Sequence, residues 1–143
     1  MVNLRVNSDT IENIGLVIFD KDGTLINLYD YWSKMVGYRV ALAQVKLGFD
    51  EDKKKDIMYA MGVDLEKERL RVEGPVGLKK REIVMQAMIE ALSKIGFKDS
   101  YDLCFKIFKE VDVMSVKHFP EIIKPISGMH QLIDRLYKKN CRI

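Results

Sequence analysis

The string Val17-Ile18-Phe19-Asp20-Lys21-Asp22-Gly23-Thr24-Leu25 constrains this chain more than any other. A β-branched apolar run from Ile14 to Phe19 ends abruptly in two carboxylates, a glycine and a threonine. A short run apolar on both faces predicts a buried strand of a parallel sheet. Carboxylates at the end of such a strand are costly unless something uses them. Asp20 and Asp22 lie two apart, so in extended backbone they project to one side. Like charges there repel each other, and a cation relieves the repulsion.

Three chemistries compete for this string. A calcium loop needs oxygen ligands at alternate positions, glycine at the sixth and a bidentate glutamate at the twelfth. Gly23 as the sixth puts Ile18 first and Tyr29 twelfth, and Asp20 as the first brings the glycine two residues early. An apolar strand, not a helix, precedes the loop, so calcium is excluded. A bare Asp-Gly turn accounts for Asp22 and Gly23 but leaves the rest of the string unexplained. Phosphoryl transfer uses all of it. Ligands of open parallel sheets bind beyond the carboxyl ends of the strands, where Asp20 sits. Asp20 there can attack phosphorus, and Asp22 can protonate the leaving oxygen and then activate water. Magnesium offsets the repulsion between carboxylates and phosphate. Gly23 permits the sharp turn, the backbone N–H groups of Lys21 and Asp22 face the phosphate, and Thr24 orders the loop by hydrogen bonding.

The 143 residues suit one domain or one and a half small ones, and 48% hydrophobic content supports a real core. A net charge of +3, with basic residues interleaved among acidic ones as in Asp50 to Asp56, gives no nucleic-acid footprint. Cys104 and Cys141 have no metal-ligand spacing and read as reduced thiols. Met1 to Asp9 lacks a signal-peptide core, and no apolar run reaches a membrane span. The expectation is a soluble, cytoplasmic protein with no nucleic-acid or membrane partner.

Helical spacing recurs from Tyr29 to Leu47, with Gly48 as a stop, and from Asp52 to Met61, ended by Gly62. "LRVEGPVG", Leu70 to Gly77, breaks the pattern as a small hairpin or ordered loop in which Arg69 or Arg71 could meet an anion. Helices resume over Leu78 to Ile95 and Tyr101 to Val116. Pro120 and Pro125 bracket a linker, Ser127 is placed to cap a helix through Leu136, and Ile143 reads as the start of another strand. The methionines read as helical core, Tyr29 and Trp32 as packing, and His118 and His130 as surface or packing residues. One strand cannot make a sheet, so the middle helices read as an insertion into an α/β core whose strands at Ile14 and Ile143 run parallel.

"FDKDGTL", Phe19 to Leu25, resembles the first motif of the haloacid dehalogenase-like (HAD) hydrolases. Asp22 resembles the phosphatase and mutase branches, since the P-type ATPase branch has threonine there. The stretch "KPISGMHQLIDRLYKKNCRI" looks like the family's return linker, with Asn140 where glycine is usual. The resemblance implies an α/β fold with a Rossmannoid parallel-sheet core, of which only the first strand, a helix and the start of the next strand are present. It implies an inserted α-helical cap like that of phosphoglycolate phosphatase-like members. The domains would be 1–27 as the start of the core, 28–119 as the cap, and 120–143 as return linker and core helix, truncated before the second motif. It further implies a magnesium-dependent phosphatase acting on a small phosphorylated metabolite through an aspartyl-phosphate on Asp20. Asp22 would be the acid/base, and Asp20 and Asp22, the latter also through its carbonyl, would be metal ligands. The family's remaining motifs have no counterpart in these residues; Lys80, Arg81, Lys138 and Lys139 are no substitutes by position. An N-terminal fragment is therefore expected, and a complementary C-terminal core segment is the partner this implies. Rival readings are a non-catalytic cap and core fragment and a β-phosphoglucomutase-like phosphotransferase.

Overall fold

Leu28 to Lys124 fold around one apolar cluster, whereas the residues before and after them form a smaller unit, Met1–Asn27 with Pro125–Ile143. The computed structural model describes residues 1–143. It is a mixed α/β structure with two antiparallel strand pairs.

In the helical unit, α1 (Leu28–Leu47) turns Met35, Val36, Val40 and Ala43 to one side, because these positions recur at helical spacing. Gly48 follows in the left-handed conformation. Helix α2 (Glu51–Met61) is capped at both ends. The Asp50 side chain accepts from the Lys53 N–H at 2.8 Å, and left-handed Gly62 donates to the carbonyls of Met58 and Tyr59. The Lys53 backbone bond is the main reason the Asp50 carboxyl is held below its ordinary range. Helices α3 (Arg81–Lys94) and α4 (Tyr101–Lys117) add Met85, Met88, Leu92, Ile107, Phe108 and Val111 to the cluster. Each such side chain, fully buried, contributes about 1.5–3 kcal/mol. Helix α1 packs on α2 and α4, and α3 packs on both of the latter. Tyr29 and Trp32 pack against this core.

Arg39 places a positive charge against this core. Arg39 is buried, with its guanidinium 4.1 Å over the Phe108 ring and 3.2 Å from Asp112. Burial pulls the guanidinium down from its ordinary value and Asp112 opposes that. Arg81 also pairs with Asp112, so one carboxylate serves two arginines.

The break after α2 is a two-residue antiparallel hairpin of Val63–Asp64 with Arg69–Leu70. Asp64 accepts from the Lys67 N–H and pairs with Arg69. Arg71 donates to the Tyr59 carbonyl and stacks 4.3 Å from the Tyr59 ring. The chain then folds back through Gly74, where a Cβ would lie 2.5 Å from the Gly62 Cα. This segment is an anchored hairpin and return, with Arg69 paired inside it and Arg71 held on α2. A short helix, α5 (Phe119–Ile122), takes Pro120 in its first turn, where the missing N–H costs nothing. The expected linker residues Pro120 to Lys124 thus belong to the helical unit.

The smaller unit corrects two expectations. First, the single early strand expected from Ile14 is preceded by an antiparallel hairpin of β1 (Val2–Val6) and β2 (Asp9–Ile14). Its register shifts near Asn13, which takes a positive φ of 58° and donates its N–H to the Asn3 side chain. Second, the apolar run is not a buried strand of a parallel sheet. Ile14 ends β2, and Gly15 to Phe19 makes one isolated parallel bridge, Leu16 with Arg142. Val17 donates to the Arg142 carbonyl at 2.9 Å and Arg142 to the Gly15 carbonyl at 3.2 Å. The side chains alternate: Val17 and Phe19 pack against Val2, Leu136 and Cys141, while Leu16 is 48% and Ile18 84% exposed. With pairing on one edge and packing on one face, the run stays extended without becoming a sheet strand.

Helix α6 (Met129–Lys138) buries Leu136. Gly128 with φ 83°, not Ser127, occupies its N-cap, and no side chain caps it. The C-terminus is closed by left-handed Asn140. Asn140 donates to Tyr137 and Cys141 to Leu136, which satisfies two terminal carbonyls. Cys141 and Leu136 share the same apolar cluster. No helix is long and apolar enough to cross a membrane.

Candidate active site

The loop that follows Phe19 is organised by a single carbonyl. Lys21 C=O accepts the N–H groups of Thr24, Leu25 and Ile26 at 3.3, 2.9 and 3.3 Å. Gly23 donates back to the Ile26 carbonyl at 3.1 Å, so Asp22 and Ile26 form a one-residue parallel bridge. Closing so small a loop requires φ 82° at residue 23, which glycine adopts without strain. Ile126 N–H then bonds the Leu25 carbonyl at 3.0 Å, and Ile26 bridges Pro125. The turn is therefore tied to the segment entering α6, within the same unit.

This backbone brings all five expected residues into one turn. Thr24 Oγ1 donates to Asp20 Oδ2 at 3.1 Å, so one oxygen of an exposed carboxylate is held. Lys21 Nζ lies 3.2 Å from Asp22 Oδ1, with both side chains mostly in solvent. Such an exposed pair contributes little to stability. Neither the Lys21 nor the Asp22 N–H donates to a backbone carbonyl. The turn-organising role of the Lys21 carbonyl and the tether to Ile126 had no signal in the sequence, since main-chain bonds are independent of side-chain identity.

No cluster of three or more His, Cys, Asp or Glu side chains forms anywhere in the chain. Two exposed carboxylates on one loop are nonetheless the donor set that magnesium uses. It demands few protein ligands and completes its octahedron with water and substrate phosphate. Asp20 and Asp22 fit that requirement; they do not fit a caged structural metal.

No protein-family model matches the chain, and no curated protein or solved structure shows significant similarity to it.

Proposed function

We propose that the Asp20–Thr24 turn is a phosphoryl-transfer site of the HAD type and that the chain contributes to a phosphatase acting on a small phosphorylated metabolite. The observation that carries this is the Thr24 bond to Asp20 Oδ2 within a turn that leaves Asp20 and Asp22 exposed. The free oxygen of Asp20 attacks phosphorus, the bond to the leaving oxygen breaks, and Asp22 gives that oxygen its proton. Asp22 then takes a proton from water, whose oxygen attacks phosphorus. The acyl-phosphate bond breaks and Asp20 is restored as a carboxylate. Bound at Asp20 and Asp22, magnesium would neutralise phosphate charge. Thr24 holds Asp20 in one orientation, and the N–H groups of Lys21 and Asp22 are available to phosphate oxygens.

On this reading residues 28–124 act as the cap and the smaller unit supplies part of the core. The test is hydrolysis of p-nitrophenyl phosphate with magnesium. Wild-type turnover should vanish in Asp20→Asn and fall by about 10²–10⁴ in Asp22→Asn, the range for lost acid–base catalysis. Release of inorganic phosphate, without a bisphosphate intermediate, separates hydrolysis from mutase chemistry.

A second reading rests on Ile18, which is 84% exposed beside a run paired at a single bridge. It takes the chain as non-catalytic by itself, with Gly15 to Phe19 pairing with a complementary core segment. Turnover by these 143 residues that depends on Asp20 would overturn this second reading; a folded chain without turnover would overturn the first for the chain alone.

A further inference from the structure

Beside the Asp20–Thr24 pair lies an open apolar cleft of about 250 Å³, lined only by residues of the smaller unit. Its walls are Phe19, Leu25, Ile126, Met129, Leu132 and Ile133, all apolar. Thr24 and Ser127 add the only hydroxyls. Thr24 is the residue that donates to Asp20, and Phe19 precedes Asp20 in the chain, so the cavity opens next to the reactive carboxylate. Whole small-molecule sites commonly measure about 300–1,000 Å³. A volume just below that range suits a substituent of a ligand, not an entire one. The walls lack charged side chains, so the cleft offers no partner to a sugar phosphate or dicarboxylate and favours an apolar group.

We propose that this cavity seats the apolar alcohol portion of a phosphate monoester, a short aliphatic or aromatic group, with its phosphate at Asp20. The substrate class rests on the phosphoryl-transfer reading; the apolar site does not. The cavity is made by the turn's own tether. Ile126 bonds to Leu25 through the backbone, and the left-handed Gly128 then starts α6 so that Met129, Leu132 and Ile133 complete the wall.

The experiment is a titration of the full chain with n-alkylphosphonates from methyl to hexyl, and with 1-hexanol as a phosphate-free probe. The readout is the ¹³C-methyl resonance of Met129, assigned through Met129→Leu. Affinity should rise roughly fourfold per methylene until the cavity is filled. Leu132→Gln and Ile126→Thr, at sites 41% and 38% exposed, should bring hexylphosphonate down to the methylphosphonate level while leaving the latter unchanged. Two variants guard against loss of fold in either. Absence of chain-length dependence, or shifts confined to methionines of residues 28–124, would overturn the proposal. If hexanol moves Met129 as strongly as hexylphosphonate, the apolar site stands and the phosphoryl-transfer reading fails.

Discussion

Thr24 donates its hydroxyl hydrogen to Asp20 Oδ2 across 3.1 Å, and the two residues are joined by a turn whose three inner N–H groups converge on the Lys21 carbonyl. The side-chain bond orients the carboxylate while the backbone fixes where it stands. Thr24→Val deletes the bond and keeps the shape; Thr24→Ser keeps the bond. Thr24→Val should lower kcat for p-nitrophenyl phosphate by roughly tenfold, about 1.4 kcal/mol of positioning, with KM little changed. Thr24→Ser should stay near wild type.

The two arginines on Asp112 differ in what their loss exposes. Arg39 is 6% exposed at its side chain and Arg81 is 42%. Asp112→Ala leaves a buried guanidinium without its carboxylate and should cost about 3 kcal/mol. Arg81→Ala removes a partly exposed partner and should cost less than about 1 kcal/mol. Urea unfolding of both variants gives the comparison, and equal costs would contradict this ranking.

Two glycines should respond oppositely to alanine. At Gly37, within α1, a new Cβ meets only the Met58 methyl at 3.7 Å, an ordinary contact. Gly37→Ala should therefore stabilise by about 0.5–1 kcal/mol through helix propensity. At Gly74 the Cβ would stand 2.5 Å from the Gly62 Cα, backbone that cannot step aside. Gly74→Ala should destabilise by about 1–3 kcal/mol. Thermal midpoints moving in the same direction would contradict the packing described for the Arg69–Gly77 return.

Asp50 links the α2 cap to pH. Its folded-state value is depressed, chiefly by the Lys53 backbone N–H, so its contribution is complete above the ordinary value of 3.8 and is lost as pH falls through the folded value. Asp50→Asn keeps a capping oxygen that does not titrate. Between pH 7 and pH 3 the variant should lose less stability than wild type, as read from urea midpoints at both values.

The helices were legible because helical periodicity and glycine stops are local. Gly48 and Gly62 are left-handed where helices end, and Tyr101 begins α4 as its spacing predicts. Asn140 takes the left-handed cap expected of a residue standing in for glycine. The first hairpin was missed although Val2, Leu4 and Val6 alternate with polar residues, because its second strand, Asp9–Ile14, is mostly polar and exposed and carries no apolar face to pair with them. The reading of Ile14 to Phe19 as a buried strand failed for a different reason. Burial on both faces depends on elements elsewhere in the chain, and the side chains of Leu16 and Ile18 stay exposed. Ser127 was one residue early as a cap, since the turn at Gly128 is set by φ and not by a hydroxyl. In the candidate site, the motif residues were readable from their types, whereas the Lys21 carbonyl hub, the Ile126 tether and the cavity arise only from main-chain geometry.

The central claim is that Asp20 accepts a phosphoryl group. The chain is incubated with p-nitrophenyl phosphate and magnesium, quenched, reduced with borohydride and digested. Mass spectrometry then locates any reduced acyl-phosphate. The account expects magnesium-dependent modification on the peptide containing Asp20, absent from Asp20→Asn and stronger when Asp22→Asn slows release. An unmodified Asp20 peptide, or modification that survives Asp20→Asn, would contradict it.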